Sequence, residues 1–340
     1  MLLSFYENSV MDRTSHIPGR EIKDVAPQSF AHHDGAMAVL GLRRRSGRRS
    51  DHSLDLDKLV RRQLVRSLLL RSMPVPLWLR DGAAFGEPEF ALELDRCMVR
   101  AGELRHQASR LLMSPTSLSV FEKADETARL QNLLAEAQAL DDSLERWTHS
   151  LPPEHRYSVH TVQGRNGVAA DNRILDNIVH IYPTMGHAGM WNRYRALGIS
   201  VKAIALQSFT LLDTSPTSPS TCLTQTVQSQ IEQLASDFCA SIPYVFGLVK
   251  ATDHSDQTTN EPDNVVSSSV TTVPGSGLES LKATVKPSTA AWLLCWPLAM
   301  AMMVEQIPAR QKQYLRDRLR DVSEIVEDGV LERIAGGAVG

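Results

Sequence analysis

Between positions 130 and 147 the residues Leu130, Leu133, Leu134, Ala137, Leu140, Leu144 and Trp147 recur at steps of 3, 1, 3, 3, 4 and 3. That spacing holds apolar side chains on one stripe of a helix turning every ~3.6 residues, and it cannot line one face of a strand of period two. Pro152-Pro153 then closes the run. The same period recurs along the chain. Leu56, Leu59, Val60, Leu64 and Leu68 predict a helix with arginines 61, 62, 66 and 71 on its opposite, solvent side, ended by Pro74 and Pro76. Further helices are predicted over 87–113, 188–212, 231–240, 290–304 and 311–328, with Gly329 as a C-cap. No alternating stretch of five or more residues stands beside them. The expectation is an all-α fold of about ten helices in a single domain over 1–340.

Two stretches interrupt the pattern. DTSPTSPS at 213–220 is short and Pro/Ser-rich. Residues 251–280 are rich in Ser, Thr, Asn and Asp, and are expected to form a disordered insertion within the domain. The apolar run 290–304 is shorter than a bilayer span and carries Pro297, so a Pro-interrupted core helix is expected. Trp147, Trp191, Tyr194, Trp292 and Trp296 all fall on apolar helical stripes and are candidate core residues.

With 36 basic and 39 acidic side chains and a net charge of −3, the chain lacks the overall basic character of a nucleic-acid glove. Its four cysteines, at 97, 222, 239 and 295, form no Cys-x-x-Cys hook and no disulfide framework. The start MLLSFYENSV has neither the basic end nor the long apolar core of a signal peptide, so a soluble intracellular protein is expected.

The search for chemistry returns little. No Gly-x-Ser-x-Gly elbow, His-Glu-x-x-His pair or Gly-Lys-Ser/Thr phosphate loop occurs, and GSG at 275–277 lacks a third glycine. His32, His33 and Asp34 are adjacent, and on a helix adjacent side chains diverge by ~100°, so they suit a helix start better than one metal. Asp141, Asp142 and Glu145 are sharper. Carboxylates at i, i+1 and i+4 in an all-α protein match the magnesium–diphosphate motif of terpene synthases and prenyltransferases. Such an enzyme needs a second acidic cluster on a facing helix, and none with suitable spacing is present. The favoured reading is a solvated helix face beside Leu140, Leu144 and Trp147; the lyase is the alternative. RRRSGRR at 43–49 has the composition of a nuclear localisation signal or a phosphate-contacting patch, and is expected in an exposed loop.

Several segments, taken in order, resemble the fungal-specific transcription factor domain, the helical regulatory region of fungal zinc binuclear cluster regulators. SFAHHDGAMAVLGLRRR (29–45) resembles its helix with His-x-x-Gly-Ala and a Leu-rich tail. LVRRQLVRSLLLRSMPVP (59–76) resembles the helix-then-proline segment that follows, and ALDDSLERWTHSLPPEHRY (139–157) the pattern of spaced Leu, Trp, Leu-Pro and an aromatic. IYPTMGHAGMWNRYRALGISV (181–201) is similar to its most recognisable stretch, Tyr-Pro and then Trp-Asn-x-Tyr-Arg. QIEQLASDFCASIPYVFG (230–247), WLLCWPLAMAM (292–302) and RLRDVSEIVEDGVLERIA (318–335) resemble the remaining landmarks.

The resemblance implies a transcription regulator of a fungal nucleus, pathway-specific in the manner of secondary-metabolism regulators. It would act through protein partners: a second copy, or a sibling that carries a zinc cluster. The family's six-cysteine module has no counterpart among these 340 residues. No catalytic, cofactor, metal or DNA-reading residue is therefore assigned, and direct DNA binding is expected to be weak and salt-sensitive. A piece of a longer regulator, a stand-alone regulator and a chain that has lost its role all fit this pattern.

Overall fold

The computed structural model describes residues 31–45, 51–112, 120–162, 173–212, 220–251, 270–272, 287–326 and 329–336. Among them are ten α-helices: α1 (Ala31–Arg45), α2 (Asp51–Leu70), α3 (Leu77–Arg80), α4 (Glu89–Leu112), α5 (Val120–Ser150), α6 (Met185–Leu212), α7 (Ser220–Val245), α8 (Pro287–Met302), α9 (Ala309–Val326) and α10 (Gly329–Ala335). Two short antiparallel ribbons accompany them, β1 (Ser158–Thr161) with β2 (Ile178–Ile181) and β3 (Val249–Ala251) with β4 (Val270–Thr272). At three or four residues each, these strands fall below the length at which alternation can be read. The fold is all-α.

α6 is the centre. It packs against α4, α5, α7 and α8, and from Arg195 to Ala205 every residue is buried. A helix apolar on all sides belongs in a core. α6 is also the one described helix long and apolar enough to cross a bilayer, and its four helical neighbours account for that character. Small residues let those neighbours approach. A Cβ on Gly189 would stand 2.4 Å from Leu293 Cδ2 of α8, and one on Gly198 3.0 Å from Leu234 Cδ1 of α7.

The stripe on α5 lies where its spacing places it, with Leu130, Leu133, Ala137, Leu140, Leu144 and Trp147 buried and Leu134 half-buried. α8 contains Pro297 and carries buried Leu294, Trp296, Leu298 and Met300 into the same core. Trp147, Trp191 and Trp296 are buried and Tyr194 is half-buried; the side chain of Trp292 lies outside the described residues.

Four expectations change. On α2 the buried line is Asp57, Arg61, Leu64 and Leu68, while Leu56 and Leu59 are exposed, so Arg61 sits inside and not on the solvent side. The arginine run is not wholly a loop: Arg43, Arg44 and Arg45 form the last turn of α1, with 46–50 outside the described residues. Gly329 opens α10 instead of capping α9. Within 251–280, Ala251 and Val270–Thr272 belong to the second ribbon, and the rest lies outside the described residues, as do 213–219.

Candidate functional site

Two polar clusters are built into this apolar frame, and both centre on buried arginines. The first closes around α6. Val159, His160 and Thr161 of β1 pair with His180, Val179 and Ile178 of β2, and this ribbon lays β2 against α7. His180 and the next aromatic, Tyr182, thereby meet Arg195 of α6.

Arg195 is 1% exposed and its guanidinium donates to Tyr182 Oη at 2.6 Å, Asn192 Oδ1 at 3.0 Å and His180 Nδ1 at 3.1 Å. The rings of Tyr157, Trp191 and Tyr182 lie 4.9, 5.6 and 5.8 Å from its Cζ. A guanidinium has no acceptor, so His180 must present a lone pair at Nδ1 and carry its proton on Nε2. That Nε2 lies 4.0 Å from Asp237 Oδ1.

Burial, with Arg195 adding to it, pushes His180 down to about 3, so the imidazole is neutral. Burial raises Tyr182 to about 12 and also raises Asp237, with Arg195 opposing both. Burial works against the charge on Arg195 itself, yet Tyr182, Tyr157 and Asp237 hold its pKa above the ordinary guanidinium value. Ser241 of α7 donates to Asn192 Oδ1 at 2.6 Å. Cation–π contact, neutral acceptors and the more distant attraction of Asp237 thus keep a full positive charge in the core, with no carboxylate in hydrogen-bond contact among the described residues.

This cluster continues into the aromatic core. Trp147 lies 5.6 Å from Trp191 and 5.5 Å from Tyr194, and Trp191 Nε1 donates to the His155 carbonyl at 2.9 Å. Its imidazole, phenol and guanidinium keep their neutral-pH charge states over a wide range. The arrangement welds β2, α6 and α7 into one rigid unit.

The second cluster joins α2, α3 and α4. Arg61, 0% exposed, donates through both terminal nitrogens to Asp95 at 2.8 Å each, and through Nε to the Leu79 carbonyl at 2.8 Å. Glu87 stands 3.9 Å from Arg61 and accepts a fork from Arg62, with Nε at 2.6 Å. Burial raises Asp95, outweighing the attraction of Arg61. Arg193 lies in the same field; burial, then Arg66 and Arg62, lower it to about 9.

The residues singled out by sequence are placed as follows. Asp141 is paired with Lys202 of α6, whose Nζ also donates to Gln230 Oε1 of α7 at 3.0 Å. Asp142 and Glu145 lie exposed on α5. Among the described residues no three His, Cys, Asp or Glu side chains converge as a metal site. His33 is half-buried on the inner side of α1 and Asp34 exposed on its outer side, as adjacent helical positions require; the side chain of His32 and GSG at 275–277 lie outside the described residues. Arg43 pairs with Asp57 at 2.7 Å and Arg44 donates to the Trp78 carbonyl. Cys97, Cys239 and Cys295 are buried and Cys222 exposed, all as free thiols.

The Arg195 cluster was missed as a cluster, although Trp191, Asn192, Tyr194 and Arg195 stand together in the sequence as a recognisable run. An arginine directly after the aromatic stretch 191–194, ahead of the mostly apolar run 196–206, is the signal the sequence carries. Comparison of the chain with protein-family models, with curated proteins and with solved structures finds no match.

Proposed function

We propose that this chain is a transcription regulator of a fungal nucleus, pathway-specific, which works through protein contacts of its helical domain and relies on a partner to reach DNA. One observation carries the reading. The segments that resemble the transcription factor domain lie far apart in sequence, and their most characteristic residues converge. Trp147 of one segment stacks on Tyr194 of another at 5.5 Å, and Asn192 of that second segment, which accepts from Arg195, also accepts from Ser241 of a third. Residues that shape a family pattern are expected to build its core, and these do so jointly.

Charge points the same way. Of RRRSGRR, Arg43 is engaged with Asp57 and Arg44 with the Trp78 carbonyl, which reduces what the run can offer to phosphates. The isolated chain should therefore bind a duplex weakly, with the binding fading as salt rises.

The test is a reporter assay in a fungal host. The full chain is fused to an unrelated DNA-binding domain, and its own location is followed with a fluorescent tag. A change in reporter output together with nuclear accumulation is the expected result. An unchanged reporter, with recovery of cytoplasmic metabolic enzymes alone in pull-downs, would overturn the assignment.

A further inference from the structure

α1 is amphipathic in two directions. At ~100° per residue its inner side carries His33, Ala36, Met37, Leu40, Arg43 and Arg44, of which Leu40 is buried and Ala36 and Met37 pack on the core. Its outer side carries Asp34, Gly35, Ala38, Val39, Leu42 and Arg45, within an arc of about 140°. All six are exposed, Val39 by 56% and Leu42 by 64%, and a Cβ on Gly35 would meet nothing within 4 Å. An outer helix face with charge only at its two ends is unusual, because solvated faces are ordinarily charged along their length.

The geometry points to a second copy of this chain as the occupant, docked antiparallel through α1. When two α1 helices run antiparallel about a two-fold axis midway between Ala38 and Val39, Gly35 of each copy faces Leu42 of the other, since the two positions lie within about 20° on the helix surface. Each Leu42 is thus seated on a glycine, with Ala38 and Val39 flanking the axis, so the helices can come close. The same operation sets Asp34 of each copy two residues, about 3 Å along the axis, from the level of Arg45 of the other. The two positions lie within about 20° on the helix surface, on the same flank, and an arginine side chain spans that offset. Within one copy these charges also suit their own helix termini, which fixes their order along α1. A parallel pair would oppose Asp34 to Asp34 and Arg45 to Arg45.

The fifteen residues of α1 span only about 22 Å, so the contact falls short of the ~800 Å² per partner of a stable complex, and the dimer is a weak one, dissociating in the micromolar range. This pairing is independent of the transcriptional reading and stands or falls separately.

Sedimentation velocity of the full chain between about 1 and 200 µM tests it, since that range brackets the dissociation constants of weak interfaces. A reversible monomer–dimer equilibrium is expected. Leu42→Lys, at an exposed position that leaves the fold intact by circular dichroism, should abolish it. Asp34→Arg and Arg45→Asp should each weaken it by about tenfold, because two end pairs change from attraction to repulsion. Mixing those two variants should restore dimers, as every end pair is again opposite in sign. A chain that stays monomeric at the highest concentration would overturn the proposal, and so would a dimer indifferent to Leu42→Lys or a mixture no stronger than its components.

Discussion

Asp95→Leu removes the carboxylate that meets Arg61 in a bidentate pair, and the structure sets the size of the loss. Arg61 and Asp95 have side chains 0% and 4% exposed, so water does not reach the charge left behind. What remains to Arg61 is the Leu79 carbonyl at 2.8 Å, the Arg80 carbonyl at 3.4 Å and Glu87 at 3.9 Å, and Glu87 is already engaged by Arg62. Breaking a buried pair from one side costs about 3–5 kcal/mol, because an uncompensated charge stays inside. The double variant Arg61→Met with Asp95→Leu removes both charges. Its main loss is the donor to the Leu79 carbonyl, about 1–3 kcal/mol for an orphaned buried acceptor. It should therefore be more stable than Asp95→Leu alone, and the cycle with Arg61→Met and Asp95→Leu as its singles should show a coupling of about 3 kcal/mol or more. Urea unfolding followed by circular dichroism at neutral pH measures all four proteins. Additive losses would refute the argument, since they would mean that the two charges are solvated independently.

Two further outcomes follow from the Arg195 cluster. His180 in the folded protein stands near 3 against an ordinary 6.5, so between these values the unfolded chain binds the extra proton and stability falls as pH drops. The slope is ~1.4 kcal/mol per pH unit, or about 2 kcal/mol lost on going from neutral pH to pH 5; His180→Gln, which keeps an acceptor for Arg195, should flatten that part of the pH–stability curve. Trp191→Ala should cost about 3–5 kcal/mol in the same unfolding assay, as for other buried aromatic truncations, and a loss under ~1 kcal/mol would mean that α6 is not the central helix.

Apolar period made the helices legible, and it did so best where one face alone is buried. α5 is the clear case: its stripe and its Pro-Pro stop are local properties, and the observed helix runs through Ser150. In α7 the apolar period is clear only over its middle, 231–240, because 220–230 is Ser-, Thr- and Gln-rich and Pro243 stands beyond; the chain is helical all the same from Ser220 to Val245. The paired strands were invisible for a different reason. Each pairs with a partner 17 or more residues away, and none is long enough to show alternation.

Charge in the core is the part that local pattern misreads. On α2 the inward line Asp57, Arg61, Leu64, Leu68 has helical spacing throughout, and a reading that follows polarity rejects its first half and substitutes Leu56 and Leu59. The substitution fails because burial of Arg61 is decided by Asp95, 34 residues away, and that of Asp57 by Arg43 on the preceding helix. A charged residue becomes a core residue when its counter-charge or its acceptors are supplied from another element, which spacing within one helix cannot register. Arg195 is the limiting case. Its environment comes from β2, α6 and α7 together, and its hydrogen bonds go to a phenol, an imidazole and an amide, groups that no charge count would pair with it. The same logic runs outward on α1, where the apolar positions at 35, 38, 39 and 42 keep helical spacing but stay exposed and join no core cluster among the described residues. Spacing alone marks such positions as core; the fold reassigns them to the surface.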